Sequence, residues 1–306
     1  MAVYSIRDLE KLSGIKAHTL RVWEQRYGII EPKRTKTNIR YYQDEDLKKL
    51  LNIALLNKNG IKISKIAKMT NKEIMQKVAA ISEINFEFDT QLDALTISMI
   101  EMDEYKFDRI IKMNLQKMGF ERTMLEIILP FLDKLSLLWL TGSINPVQEN
   151  FISYLIRQKV IVAIDNEPFA LGEDVKKFML YLPEGESQEL SLLFLQYLLK
   201  SRRNQVIYLG KDISINDLRD AFLIHQPDYL YTIITETFVG DSVQKYITEL
   251  MNTFKSCDIL VSGYQVITNN IKSDKNLTVL KSLDQTIQYI DEIRQLPYST
   301  NGVNGI

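Results

Sequence analysis

The apolar positions in the first quarter of the chain recur at helical spacing between glycine breaks. Ser5 is a candidate N-cap and Gly14 a candidate stop for a first short helix. A second helix follows directly, with Leu20, Trp23 and Tyr27 at the spacing of an inward face. Two short helices joined by a glycine turn predict a helix-turn-helix, whose second helix is of a size that the DNA major groove admits.

A basic, irregular segment comes after these two helices. Its positive side chains are Lys33, Arg34, Lys36 and Arg40, and the pair Tyr41 and Tyr42 closes it. This composition predicts a wing that lies along DNA phosphates, because Lys, Arg and the Tyr hydroxyl all donate to phosphate oxygens. A third helix with an acidic first turn is predicted after this wing, and a short fourth helix after that.

The middle of the chain, residues 76–172, consists almost entirely of helix-forming sequence. Apolar residues recur at intervals of three and four, and the pattern is interrupted at Gly119, Pro130, Gly142 and Pro146. This pattern predicts a bundle of four or more antiparallel helices. Trp139 and Glu149 flank one of the breaks, and their spacing favours a core tryptophan and a first-turn glutamate stabilised by the helix dipole.

The last part of the chain alternates five short apolar stretches with helical ones. The strands are predicted at residues 176–182, 205–210, 228–234, 258–263 and 277–280. Such alternation predicts a parallel, doubly wound sheet, which binds small molecules at the carboxyl ends of its strands. The predicted strand ends are residues 183–188, 210–214, 235–237 and 262–264.

Composition and charge narrow the class of protein. Hydrophobic residues make up 45% and charged residues 25% of the 306 positions, as in globular proteins, and neither a membrane span nor a signal peptide is recognisable. The single cysteine, Cys257, excludes an internal disulfide, so the cytoplasm is the expected location.

Residues 1–75, which we call the head, carry 16 Lys and Arg against 8 Asp and Glu; the remaining residues carry 22 against 31. This asymmetry favours a polyanion partner for the head, with a merely solvated basic surface as the alternative.

The head resembles the N-terminal winged helix-turn-helix of MerR-type transcription regulators. The resemblance is carried by "TLRVWEQRYG" in the second helix and by "RYY" with a later "DL" at the end of the wing. It implies a dimer that binds double-stranded promoter DNA. Family positions that touch DNA match His18, Thr19, Arg21 and Arg26 on the recognition helix, and Arg40 and Tyr42 in the wing. For His18, a solvent-facing helix residue without a role is the second interpretation.

With the bundle and the sheet included, nearly the whole chain resembles the light- and cobalamin-responsive MerR-type regulators, the CarH/LitR group. The bundle of that family carries a Trp and then Glu-His, and this chain has Trp139, Glu149 and Asn150. The expected fold class is therefore multidomain, α and α/β. It comprises a winged helix-turn-helix domain over 1–75, a four-helix bundle over 84–168, a flavodoxin-like Rossmann domain of the cobalamin-binding type over 174–296, and a disordered tail over 297–306.

The same family has a histidine that ligates cobalt in the turn after the first sheet strand. In this chain the corresponding triplet is Glu186, Ser187 and Gln188. The amide of Gln188 is a poor cobalt ligand, and His225 precedes the third strand, at the opposite edge of the sheet. The cofactor is therefore left open: the resemblance implies cobalamin, but without a protein histidine, and no protein metal site is predicted. The candidate ligand-binding residues are Trp139, Glu149, Asn150, Glu186, Ser187, Gln188, Gly210, Ser262, Gly263 and Tyr264.

A sequence-specific DNA-binding regulator is the expected function, with repression and a dimeric or tetrameric state implied by the resemblance. Its tail either binds a corrinoid, binds another small molecule, or is a ligandless association module in which Glu186 and Gln188 cap the next helix. A corrinoid-dependent methyl-transfer component and a protein-binding scaffold are the alternatives. No catalytic residue is predicted, because two isolated histidines cannot build a Ser-His-Asp or Cys-His site, so an enzyme is not expected.

Overall fold

The chain divides into two compact units, residues 1–156 and 157–306. A computed structural model describes residues 3–34, 38, 40–84, 87–140, 143–172, 175–236 and 242–295. Lys36, Gly142, Thr237 at a predicted strand end, and the tail predicted over 297–306 lie outside these ranges. Within them, no helix has both the length and the apolar character needed to cross a membrane.

The head begins as predicted, with two short helices. In order, the elements up to Ile84 are β1 (Val3–Tyr4), α1 (Ile6–Ser13), α2 (Ala17–Tyr27), β2 (Lys33–Arg34), β3 (Arg40–Gln43), α3 (Asp44–Lys58), α4 (Ile63–Ile66) and α5 (Asn71–Ile84), which extends beyond the head. Ser5 caps α1 in a reciprocal arrangement with Asp8, and Gly14 ends the helix at φ 70°, so both predicted signals are confirmed. Glu10 then accepts a hydrogen bond from the backbone N–H of Ala17 at 3.2 Å, which ties the start of α2 to α1.

Two parts of the wing, Lys33–Arg34 and Arg40–Gln43, form strands where the composition predicted an irregular segment. β3 pairs antiparallel with both β1 and β2, in the order β1-β3-β2. The sheet forms because the "RYYQ" stretch alternates its side chains across β3, which places the ring of Tyr42 in the core while Tyr41 stays half-buried.

Helix α3 joins the head to the bundle that follows. Seven consecutive residues, Leu50 to Leu56, are buried, as in a helix that is covered on all sides. It packs against α1, α5 and α6 (Phe88–Glu101). Polar contacts reinforce this packing: Asp93 of α6 pairs with Lys58 of α3 and with Lys134. Head and bundle therefore share one core in the first unit.

The remaining bundle helices are longer than the sequence breaks suggest. They are α7 (Glu104–Thr123), a π-helical segment (Met124–Ile128), α8 (Leu129–Leu140) and α9 (Pro146–Asn166). Gly119, at φ 79° and ψ 173°, kinks helix α7, whereas helix α8 continues through Pro130 without a break. The π-helical turn immediately before Pro130 explains this, because such a turn widens the helix where a proline would otherwise clash with an earlier carbonyl.

The second unit is built on the predicted parallel sheet. Its strands are β4 (Lys177–Pro183), β5 (Gln205–Ile213), β6 (Tyr229–Ile233), β7 (Asp258–Ser262) and β8 (Leu277–Leu280). The intervening helices are α10 (Glu189–Ser201), α11 (Ile215–His225), α12 (Val243–Thr253), α13 (Tyr264–Thr268) and α14 (Leu283–Gln295). The strand order β5-β4-β6-β7-β8, all parallel, is the flavodoxin-like order. β4 is buried along nearly its whole length, and the carboxyl ends of β4 and β6 meet at the topological switch point.

Candidate functional site

The exposed side of α2 carries three of the nine predicted DNA-contacting residues. His18, Arg21 and Arg26 are exposed and Thr19 is half-buried, whereas Leu20 and Trp23 lie in the core. The core residues explain this orientation, since burying Leu20 and Trp23 against the rest of the head turns the polar side of the helix outward. The result is a cationic helix face of the kind that enters a major groove.

Glu24, which the sequence did not single out, contacts two of the predicted wing residues, Arg40 and Tyr42. The Nε of Arg40 lies 3.4 Å from one carboxylate oxygen of Glu24, and the hydroxyl of Tyr42 donates to the other at 3.5 Å. Tyr42 is fully buried, and burial, together with the charge of Glu24, raises its pKa to about 12. In this structure the Tyr42 side chain fixes β3 against α2, and its phosphate contact stays a prediction.

The outer strand of the wing keeps its cationic side chains at the surface. Lys33 and Arg34 of β2 are exposed. Arg34 donates to the Oδ1 of Asn38 at 2.8 Å, and Lys33 donates to Gln43. Lys33 and Arg34 are therefore accessible to a polyanion.

In the bundle, the tryptophan predicted to be a core residue lies at the surface. Trp139, at the end of α8, is 44% exposed, so the core interpretation is wrong. Glu149 lies half-buried in the first turn of α9, as predicted, and Asn150 is exposed. That turn is fixed by reciprocal hydrogen bonds between Asn145 and Gln148, at 2.9 and 3.2 Å.

In the second unit, a buried carboxylate joins the carboxyl ends of β4 and β6. One oxygen of Glu186 accepts hydrogen bonds from the backbone N–H groups of Thr235 and Glu236, at 2.7 and 2.8 Å. Its other oxygen is buried and has no partner among the described residues. Burial raises the pKa of this carboxyl, although the two backbone donors oppose the rise. Glu186 therefore binds the loop after β6 and does not cap α10.

The two residues after Glu186 face outward. Ser187 is exposed and donates to a carboxylate oxygen of Glu236 at 2.9 Å. Gln188 is exposed at the N-cap of α10, but its side chain makes no capping hydrogen bond, so the predicted capping role is not found. His225 ends α11, before β6 begins, and so lies at the opposite edge of the sheet, as predicted. Within the described ranges, no group of three or more His, Cys, Asp or Glu side chains is arranged to hold a metal ion.

At the carboxyl end of β7, the backbone of Gly263 lies directly against the backbone that follows β6. Gly263 adopts φ 110° and ψ 164°, and a Cβ there would lie 2.3 Å from the carbonyl oxygen of Ile234. Next to it, the hydroxyl of Ser262 accepts a hydrogen bond from Tyr231 at 3.4 Å, and Tyr264 is 63% exposed.

The predicted end of β5 at Gly210 is wrong, because β5 continues to Ile213. Gly210, at φ 86°, lies instead where the β4–β5 register shifts.

Comparisons with known proteins identify two parts of the chain. The family model "MerR HTH family regulatory protein" matches residues 4–73, which contain α1, α2 and the wing. A second model, "B12 binding domain", matches residues 91–163, from α6 into α9. The chain therefore contains a MerR-family helix-turn-helix region and a region that matches a B12-binding domain.

Two curated relatives match most of the chain. Both come from Myxococcus xanthus and are 24% identical to it: the HTH-type transcriptional repressor CarH, over 74% of this chain and 77% of the relative, and the HTH-type transcriptional repressor CarA, over 95% and 94%. Among solved structures, the monomethylamine corrinoid protein of Methanosarcina barkeri is 12% identical, covers 73% of this chain and has a TM-score of 0.47.

Substitutions at Glu186 test the link between β4 and β6. Glu186→Ala should lower the free energy of unfolding by about 1–3 kcal/mol, because two backbone donors lose their acceptor. Glu186→Gln keeps an acceptor oxygen and removes the charge. The pKa of this carboxyl is raised in the folded state, so the free energy of unfolding of wild type should fall as the pH rises from the ordinary glutamate pKa of 4.5 to the raised pKa. Glu186→Gln has no such group, so its stability should increase relative to wild type over the same pH range. Denaturant titrations at several pH values measure both effects, and equal pH profiles for wild type and Glu186→Gln would contradict the assignment.

Proposed function

We propose that this protein is a sequence-specific DNA-binding transcription regulator that acts as a repressor. The observation that carries the proposal is the match of the head to MerR-type regulators, combined with the outward cationic face of α2. That CarH and CarA are both named transcriptional repressors supports repression and favours a regulator over an enzyme. α2 enters the major groove, while Lys33, Arg34 and Arg40 of the wing neutralise phosphates.

The protein binds DNA as a dimer or a larger oligomer. One α2 reads only a few base pairs, so two heads related by symmetry are needed for a site of useful length. Sedimentation of the full chain with and without duplex, at concentrations near its DNA affinity, tests this state. A monomer that binds DNA one-to-one would contradict it.

The protein binds a corrinoid without a histidine ligand from its own chain. The match of residues 91–163 to a B12-binding domain supports corrinoid binding. When bound, a corrinoid would supply a large planar ligand whose presence the regulator senses. The chain's own contribution is structural: Trp139 offers an exposed aromatic face in the first unit, and in the second unit Glu186 and Gly263 fix the strand ends next to the exposed Gln188.

A corrinoid-retention experiment decides between this proposal and a ligandless association module. The full chain is incubated with hydroxocobalamin or with cobinamide, which lacks its own nucleotide base, and is then desalted. We expect the corrinoid to stay with the protein, and we expect Gln188→His, but not wild type, to give bound cobinamide the absorbance spectrum of an imidazole-ligated cobalt. Loss of both corrinoids from the desalted wild-type protein would contradict corrinoid binding and leave the association module.

A further inference from the structure

The start of α9 lies against the head within the first unit. Residues 143–148, which we call the connector, lead into α9 and include its first residues. Ser143 and Ile144 are buried, although connections between helices normally run over the surface of a protein. The connector is therefore packed against its surroundings, and two of its polar side chains contact the head.

The first of these contacts joins Ser143 to the first helix of the head. The hydroxyl of Ser143 donates to the Oδ1 of Asp8 at 3.4 Å. The Oδ2 of Asp8 accepts from the backbone N–H and the hydroxyl of Ser5, at 2.8 and 2.7 Å, in the capping box of α1. Asp8 therefore joins the connector to the start of α1, and Glu10 of the same helix holds the start of α2.

The second contact joins Gln148 to the first strand of the head. The hydroxyl of Tyr4 is buried and donates to a carboxylate oxygen of Asp44 at 3.0 Å. Burial, followed by the charge of Asp44, raises the pKa of Tyr4 to about 12, and a hydrogen bond with the Gln148 side chain opposes the rise. The amide of Gln148 also donates to the carbonyl of Ile100 in α6, at 3.5 Å. Gln148 therefore contacts the head and the bundle at the same time.

Two of the candidate ligand residues flank the connector. Trp139, at the end of α8, precedes it with an exposed ring, and Glu149 follows it directly in the first turn of α9. Because the segment between these two residues is short and is buried at Ser143, a ligand that contacts both of them restricts the connector. The connector thus lies between the ligand residues of the bundle and the first two elements of the head.

We propose that the connector couples Trp139 and Glu149 to DNA binding by the head, with Ser143 and Gln148 as positioning residues. The proposal rests on the proposed function, because it takes the head to bind DNA and a corrinoid to lie beside Trp139. The coupling depends on whether the contacts of the connector with Asp8 and with the first strand are made. A duplex and a corrinoid both favour the state in which they are made, so each raises the affinity for the other.

Hydrogen exchange of the full chain tests the coupling without a corrinoid. The amides of residues 143–149 should exchange at least about five-fold more slowly when the protein binds a duplex that it has selected from a random library, since coupling between sites is typically about 5- to 150-fold. Tyr4→Phe combined with Ser143→Ala removes one hydroxyl from each contact. In this double variant the slowing should fall below about two-fold.

Ser136→Ala combined with Tyr154→Phe is the matched control. It removes a serine and a tyrosine hydroxyl from exposed positions of α8 and α9, and the Ser136 hydroxyl donates only within its own helix, to Leu132, among the contacts described. The slowing should therefore be the same as in wild type. A merely structural role of the Tyr4 and Ser143 hydroxyls would lower stability in the first double variant and leave the effect of DNA unchanged.

DNA affinity with and without hydroxocobalamin provides the second measurement. Wild type and the control should bind the duplex about five-fold more tightly with the corrinoid, and the Tyr4→Phe/Ser143→Ala variant should retain the corrinoid but change less than about two-fold. The proposal is overturned if DNA leaves exchange of the connector unchanged, if this variant keeps the wild-type responses, or if the control loses them. A wild-type chain that releases the corrinoid contradicts corrinoid binding, and the exchange experiment still decides the role of the connector. A chain that binds no duplex overturns the regulatory function and the coupling together.

Discussion

Replacing Arg21 and Arg26 together with alanine should lower the affinity for specific duplex DNA by about 100-fold or more, since each well-placed side-chain contact to a base or phosphate is worth about 1–3 kcal/mol. Both side chains are exposed on α2, whose inner face is held in the core by Leu20 and Trp23. The double substitution removes two cationic groups without touching that core, so thermal stability should stay within about 0.5 kcal/mol of wild type. The measurement is fluorescence anisotropy with a duplex that the wild-type protein has selected from a random library, repeated over a range of salt concentrations.

Salt dependence distinguishes phosphate contacts from a general loss of charge. The slope of log affinity against log salt should become shallower by about one for each phosphate contact that the substitutions remove. Arg122→Ala with Arg219→Ala is the matched control, because it removes two exposed arginines from helices outside the head. Unchanged affinity in the Arg21/Arg26 variant, or an equal loss in the control, would show that α2 is not the recognition helix.

The bounds and the inward face of α2 can be predicted from the sequence, because the helix is short, amphipathic and bounded by glycines. Gly14 and Gly28 both end helices in the left-handed conformation, and the apolar spacing of Leu20 and Trp23 determines which side faces inward. The roles of the wing residues were not accessible in the same way. Which side of β3 is buried depends on its pairing with two other strands, and that pairing places Tyr42 inside, next to Glu24.

The sheet illustrates the same difference between local and long-range information. Five runs of apolar residues between polar breaks were enough to predict five parallel strands, because fully buried strands need continuous apolar sequence. The role of Glu186 depends on residues about fifty positions later, and nothing in the local sequence indicates that its carboxylate accepts from Thr235 and Glu236. Similarly, the burial of α3 follows from packing against the bundle and not from any helical periodicity of its own.

Gly263→Ala should destabilise the second unit by roughly 3–5 kcal/mol, a large loss for one methyl group. Gly263 has backbone angles that are essentially confined to glycine, which alone costs an alanine about 1–3 kcal/mol. The added Cβ would also lie 2.3 to 2.8 Å from three backbone atoms of Ile234. Relief requires β6 and β7 to separate, which breaks the hydrogen bonds from Ile234 N–H to Ser262 and from Gln265 N–H to Ile234, at 2.8 and 3.1 Å.

The position of the tryptophans allows this loss to be assigned to one unit. Both Trp residues, Trp23 and Trp139, belong to the first unit, so tryptophan fluorescence follows that unit while far-ultraviolet circular dichroism follows both. In urea, Gly263→Ala should shift an early part of the dichroism transition to lower concentration and leave the fluorescence midpoint in place. Gly185→Ala is the control: Gly185 has a similarly positive φ of 87°, but its Cβ would meet nothing within 4 Å, so only the conformational cost of about 1–2 kcal/mol should appear. Equal losses of stability in the two alanine variants would contradict the prediction. They would show that the close contact between Gly263 and Ile234 does not fix the strand ends at which we propose the corrinoid to bind.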